Sequence, residues 1–231
     1  MKAVLKLLLL AATAALVVMC YQSIQIPVQF KHDVAQRDAV VIQRLKDIRT
    51  LQECYRDKYQ TYAPTWETLI NFAKNDSLPI VDKVGSLTDK QLELGLNEKD
   101  AWKYLSNPRK YKKEIEKFSL SKETFSRDTI YVNVLAKDST FISRADFNID
   151  SLCYVPFSQK DTFELVLGSV TTASGYEMAL FEARVEYKVY LQGLNDQELN
   201  NKINEREQMD KYAGLKVGDS QQANNNAGNW E

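Results

Sequence analysis

From Leu7 to Met19 the chain reads LLLLAATAALVVM without a charge, and uncharged residues continue through Cys20, Tyr21 and Ile24 to Ile26. About 20 such residues are what an α-helix needs to cross the hydrocarbon core of a bilayer. The remainder of the chain has the composition of a water-soluble domain. The sequence therefore divides first into an anchor, residues 1–26, and a body that folds in water.

Three readings of the anchor stand. It is an uncleaved signal-anchor, a signal peptide cut at Ala12-Thr13-Ala14, or a lipidation signal ending at Cys20. Length favours the first. Cleavage after Ala14 leaves an apolar stub, and Met19 is not the small residue a lipobox places before its cysteine. Lys2 and Lys6 precede the run without acidic company, whereas Lys31 and Arg37 follow it together with Asp33 and Asp38. That bias predicts a cytoplasmic N-terminus and a periplasmic body, single-pass in an inner membrane.

The formal net charge of -1 supplies no field to draw the protein to nucleic acid. Of three cysteines, Cys20 falls in the anchor. Cys54 and Cys153 are either a disulfide pair of an oxidising compartment or two buried thiols.

Pro27 can end or kink the membrane helix. From Phe30 to Tyr62 there is neither Gly nor Pro, and Val34, Val41, Leu45, Ile48, Leu51, Tyr55, Tyr59 and Tyr62 recur at helical spacing. The reading is an amphipathic rod whose apolar face is covered by the body that follows. Arg37, Arg44 and Gln52 interrupt that face. Either the two arginines snorkel at its membrane-proximal end, or these residues contact a partner subunit or lipid head groups.

This order of features resembles a known architecture. An anchor helix runs into an amphipathic helix carrying Arg37-Asp38-Ala39, Ile42 to Arg49, Leu51-Gln52 and Tyr55, and closes on Tyr59-Gln60-Thr61-Tyr62-Ala63-Pro64 before Trp66 and Leu69. In this it looks like the N-terminal part of type IV pilin-like and type II secretion pseudopilin-like proteins, over about the first 75 residues. It departs from them in lacking a Gly before a Phe-Thr-Leu-Ile-Glu-like start. The resemblance implies a helix packed on a small sheet and a role in an envelope assembly. The chain also resembles envelope proteins of Bacteroidota in its ending, Asn224-Asn225-Asn226-Ala227-Gly228-Asn229-Trp230-Glu231.

Beyond the rod, Pro64 opens a short helix that Asn75 to Pro79 stops, so residues 27–75 form one segment. Residues 76–128 read as short helices and linker, with starts at Thr88-Asp89 and Asn97 and a turn at Asn107-Pro108. Residues 129–192 read as an antiparallel sheet, with strands at Thr129–Ala136, Ser151–Phe157, Thr162–Ala173 and Phe181–Leu191 and a turn at Ser174-Gly175. The last strand alternates apolar and polar residues with period two. Residues 193–231 read as a surface helix capped near Asp196 and a polar tail. Trp230 is the exception in that tail: with Glu231 beside it, it reads as a docking residue for a partner or for this domain, there in a groove near the turn that precedes the surface helix at Asp196. The expected fold class is thus α+β, an N-terminal transmembrane helix continuing into a long amphipathic helix packed on a C-terminal antiparallel sheet.

Catalytic vocabulary is sparse. The chain holds one histidine, His32, no nucleotide-binding glycine motif and no G-x-S-x-G. Asp146-x-Asn148-x-Asp150 lacks the glycine and distal glutamate of a calcium loop. No cofactor is implied. The expectation is a non-catalytic envelope protein, held in the membrane by residues 7–26, that works through contacts with other envelope proteins or a second copy. The alternative is a membrane-tethered exported enzyme or ligand-binding domain. The partner-binding candidates are Arg37, Arg44, Gln52, Trp230 and Glu231.

Overall fold

The computed structural model describes residues 2–137, 139–145 and 147–231. In chain order the elements are α1 (Lys2–Tyr59), α2 (Trp66–Asn75), β1 (Ser77–Val84), α3 (Asp89–Glu93), α4 (Glu98–Ser106), α5 (Lys112–Phe118), β2 (Ser126–Asn133), α6 (Val134–Lys137), α7 (Ser139–Ile142), β3 (Glu164–Thr171), β4 (Glu177–Glu186), α8 (Tyr187–Tyr190), α9 (Asp196–Gln208) and β5 (Gly214–Gly218). They are α+β and fall into two compact units, residues 1–73 with 146–231, and residues 74–145.

The first unit is organised by α1, 58 residues of unbroken helix, roughly 87 Å at 1.5 Å per residue. Pro27 lies inside it and does not end it. A proline forfeits one amide donor, here the one that would bond the Ser23 carbonyl, and the glycine-free turns on either side hold the helix together. The residues from Leu8 to Ile26 are exposed on every side. This part of α1 is long and apolar enough to cross a membrane. Burial begins at Phe30 and continues through Val34, Val41, Leu45, Ile48 and Leu51. The predicted stripe is therefore the core face over most of its length. It ends early: Gln60 adopts a left-handed backbone and closes the helix three residues before Tyr62.

The covering sheet has the order β3-β4-β5, antiparallel throughout. Phe181, Ala183 and Val185 of β4 share a face with Leu215 and Val217 of β5, and α1 packs on both strands. The Tyr62 ring lies 4.7 Å from that of Phe181. Tyr55 and Tyr59 turn instead to Phe72 of α2, at 5.1 and 6.0 Å. Helix α2 begins where Thr65 Oγ1 accepts from the Thr68 amide, and its Trp66 Nε1 donates to the Phe163 carbonyl.

Several expected strands are different. The alternating segment Phe181–Leu191 stays extended only to Glu186 and then makes the helical turn α8. Period two would put Tyr187 and Tyr190 on opposite faces, whereas a helical turn puts residues i and i+3 on one side and buries both. Ser151–Phe157 is turns with a single bridge, Tyr154 to Thr162, because Phe157 and Lys160 take left-handed conformations. The Ser174-Gly175 turn forms as expected, Gly175 at φ +78°. The surface helix is capped by Asn195, whose side chain accepts from Glu198 N, one residue before the expected Asp196. Residues 214–218, expected in a loose tail, are the third strand.

The second unit corrects the expected linker and the expected membership of the Thr129 strand. Segment 126–133 pairs not with the C-terminal sheet but with β1, in an antiparallel ribbon running from Ser77 opposite Asn133 to Val84 opposite Ser126. Extension stops at Asn133, whose side chain accepts from Leu135 N as α6 begins. Leu87, Leu96, Ala101, Leu105, Leu120 and Phe125 build a small core among α3 to α5. The starts read at Thr88 and Asn97 hold: Gln91 Oε1 accepts from Thr88 N, and Asn97 Oδ1 accepts from Asp100 N. Arg127 closes the unit by stacking 4.2 Å from the Phe125 ring centroid and pairing with Glu98 at 3.0 Å.

Candidate interaction surface

The polar residues of the α1 stripe are spent inside the domain. Arg37 donates from Nη1 to the carbonyls of Tyr190 and Gln192, at 2.8 and 2.9 Å, and its guanidinium lies over the Phe157 ring. Its neighbour Asp38 accepts a 2.5 Å bond from Tyr190 Oη. Burial first, and then this carboxylate, push the Tyr190 phenol far above its ordinary value. Together these groups fasten the end of α8 to α1 close to where the buried part of the helix starts. Arg44 donates to the Ser151 carbonyl. Gln52 is fully buried, and its carboxamide closes on Ala63 with both halves: Nε2 donates to the carbonyl at 3.1 Å and Oε1 accepts from the amide at 2.8 Å. Snorkelling therefore describes neither arginine. Each of the three satisfies backbone groups of a loop that abuts the helix, the accounting a buried loop demands.

Cys54 and Cys153 are both buried and are not joined to each other, so the disulfide raised as an alternative is not formed. Burial holds the Cys153 thiol above its usual range.

The tail is docked, at a different place from the one foreseen. Its groove was expected near the turn before Asp196. Instead it runs along the open edge of β5. Gly218 N donates to the Ala227 carbonyl, and Asn229 N to the Lys216 carbonyl. The Asn229 side chain then extends the ladder, accepting from Lys216 N and donating to the Gly214 carbonyl at 2.9 Å. An edge strand needs such cover. The Trp230 indole lies against Gly228, where an added Cβ would fall 2.3 Å from the ring. Asn226 turns inward, donating to Glu53 Oε1 at 3.0 Å and sharing hydrogen bonds with Tyr62 Oη. Asn226 and its neighbour Asn225 have left-handed backbone, which asparagine tolerates. Arg49 secures Glu231 at 2.8 Å. The Asn-rich composition that reads as disorder is here the chemistry of a turn.

The outward face of the sheet is polar. Glu182, only 4% exposed, receives Arg184 at 3.1 Å, Lys216 at 3.4 Å and the Ser220 amide at 3.2 Å. Arg184 also forks onto Glu164 through Nε and Nη2, which holds the Glu164 carboxyl below its usual range. This is a satisfied ion cluster with the 219–221 turn folded over it. Among the described residues no group of three or more His, Cys, Asp or Glu side chains is placed to hold a metal ion. Asp146 of the acidic Asp146-x-Asn148-x-Asp150 segment lies outside the described residues, and Asn148 caps the Asp150 amide. His32 is on the exposed side of α1 beside Asp33.

The apolar N-terminal part of α1 is exposed, and a groove lies where α1 enters the domain. The chain matches no family model, no curated protein and no solved structure.

Proposed function

We propose that this protein is a single-pass, membrane-anchored envelope protein with a pilin-like periplasmic domain, and that it acts through protein–protein contacts rather than by catalysis. One observation carries the reading. A single helix is exposed and apolar from Leu8 to Ile26, and from Phe30 onward it becomes the buried spine of an antiparallel sheet domain. Exposed apolar surface on that scale is stable only in lipid or against another protein. Arg37, Arg44 and Gln52, the polar residues of the buried stripe, are engaged in holding loops to the spine. The positive-inside bias of Lys2 and Lys6 supports a cytoplasmic N-terminus.

The test is made in intact envelopes. The chain should resist alkaline carbonate extraction. Its domain should be cut by protease only after the outer barrier is opened. Photocrosslinkers at exposed positions of α1, such as Val40, should capture a defined neighbour. A chain released by carbonate, or one protected on the cytoplasmic side, overturns the reading.

A further inference from the structure

Where α1 leaves the domain, Gln25, Ile26, Gln29, Phe30 and Asp33 face the loop Gly193-Leu194-Asn195 across a groove of about 460 Å³. We infer that this groove receives the head group of a phospholipid carrying a primary amine, a phosphatidylethanolamine, from the leaflet on the domain's side. The inference rests on the anchored reading above.

Depth is the first argument. A span from Leu7 to Ile26 uses up the ~30 Å of hydrocarbon, and the polar head-group layer adds about 5–7 Å on each side. At ~1.5 Å per residue, Phe30 then stands about 6 Å past the hydrocarbon edge and Asp33 about 10 Å. No linker separates anchor from domain, since Phe30 is already buried at 6% exposure. Gln29 and Phe30 therefore stand in the head-group layer, and Asp33, whose side chain tilts back toward the helix N-terminus, stands at the outer rim of that layer.

The second argument is the order of its chemistry. Gln25, Gln29 and Asp33 are spaced four apart and form one stripe up the helix. Moving outward from the membrane, a lipid presents its phosphate and then its amine. Gln29 Nε2 gives one N–H to Asp33 Oδ1 at 2.9 Å; its second N–H is the donor for phosphate, and the other Asp33 oxygen accepts from ammonium. Ile26, Phe30 and Leu194 supply an apolar lining for the glycerol end. Charge complementarity fixes the lipid class. Among the described lining residues Asp33 is the one charge and none is basic. Arg37, one turn further along, is committed to the Tyr190 and Gln192 carbonyls. Lys31 projects from the opposite side of the helix. An anionic head group would meet repulsion here, and a quaternary amine would offer Asp33 no N–H.

The experiment uses the full chain in nanodiscs of equal phosphatidylethanolamine, phosphatidylglycerol and phosphatidylcholine, with native mass spectrometry reading the lipids that remain bound. The wild type should retain the ethanolamine lipid about threefold or more over the others, the weight of one half-exposed charge-assisted contact. Asp33→Asn should remove that preference, and Asp33→Lys should turn it toward phosphatidylglycerol, a gain that misfolding does not produce. Equal retention of the three lipids by wild type, or a ratio unmoved by both variants, overturns the inference. Carbonate extraction in parallel separates the two readings. A chain that stays in the membrane but shows no preference refutes the groove alone, and a chain released from it refutes both.

Discussion

Arg49 Nη1 donates to Glu231 Oε1 at 2.8 Å and to the Asn226 carbonyl at 3.3 Å, so one guanidinium in the C-terminal part of α1 holds both ends of the last turn of the tail. The Glu231 carboxyl is held below its ordinary value of 4.5 chiefly by this bond. A carboxyl with a lowered folded value stabilises the folded state above its unfolded value and loses that contribution as pH falls through the folded one. The tail should therefore stay docked at neutral pH and loosen below about pH 4.5. Glu231→Gln should make tail protection in hydrogen exchange independent of pH between 3 and 6, as the wild type is not.

Trp230 rests on Gly228 with no room for a methyl group between them. Gly228→Ala should push the indole out, and deleting residues 229–231 should remove it and reopen the β5 edge. Either change should cost on the order of 2 kcal/mol, the value of partial burial of a large aromatic. A red shift of tryptophan emission with a lower melting temperature for Gly228→Ala is the expected result. Unchanged melting in both variants would mean that the docked tail adds nothing to stability.

Gln52 bonds both backbone groups of Ala63 without access to water. Gln52→Leu keeps the volume and strands a buried amide and a buried carbonyl, a loss of about 3 kcal/mol. Gln52→Glu should do similar harm by placing a charge there. Denaturant titration of the detergent-solubilised chain checks both.

Burial raises the phenols of Tyr187, Tyr190 and Tyr212, and Asp38 adds to the effect at Tyr190. A raised folded value means stability that is fully present below the unfolded value of about 10 and is lost as pH climbs above it. Of the 12 tyrosines, these three should ionise only with unfolding. Titration at 295 nm should show them as a late, cooperative step above pH 10, and Tyr190→Phe should delay alkaline melting.

How far the sequence could be read depended on the range of the interactions involved. The core stripe of α1 was legible because Val34, Val41, Leu45 and Ile48 repeat with the helix itself. The caps at Thr88 and Asn97 were legible because their partners lie three residues away. Pairing was not. Nothing local tells the segment at Thr129 to choose Pro79 and Ile80 rather than the C-terminal strands. Phe181–Leu191 misled because its alternation is real as far as Glu186, and only the distant Asp38 requires Tyr190 on the side that a helical turn provides. The fates of Arg37, Arg44 and Gln52 were hidden for the same reason: a polar residue on an apolar stripe signals an unmet acceptor, but the acceptors at Tyr190, Ser151 and Ala63 are fixed only by the fold. Trp230 drew attention and lies against Gly228 of its own tail, whereas Asn226 and Asn229, which carry the docking, looked like filler.

The unbroken passage of α1 through Pro27 has a mechanical consequence in the proposed setting. With no hinge at the membrane surface, the anchor and the domain form one lever pivoting in the bilayer. From Ile26 to Tyr59 the arm is about 50 Å long. A change of only ~10° in helix tilt, well inside the range bilayers allow, would sweep its far end sideways by about 9 Å. Bilayer thickness or a pull on the anchor would thus be transmitted to the far end of the domain as displacement, without any change in its internal contacts.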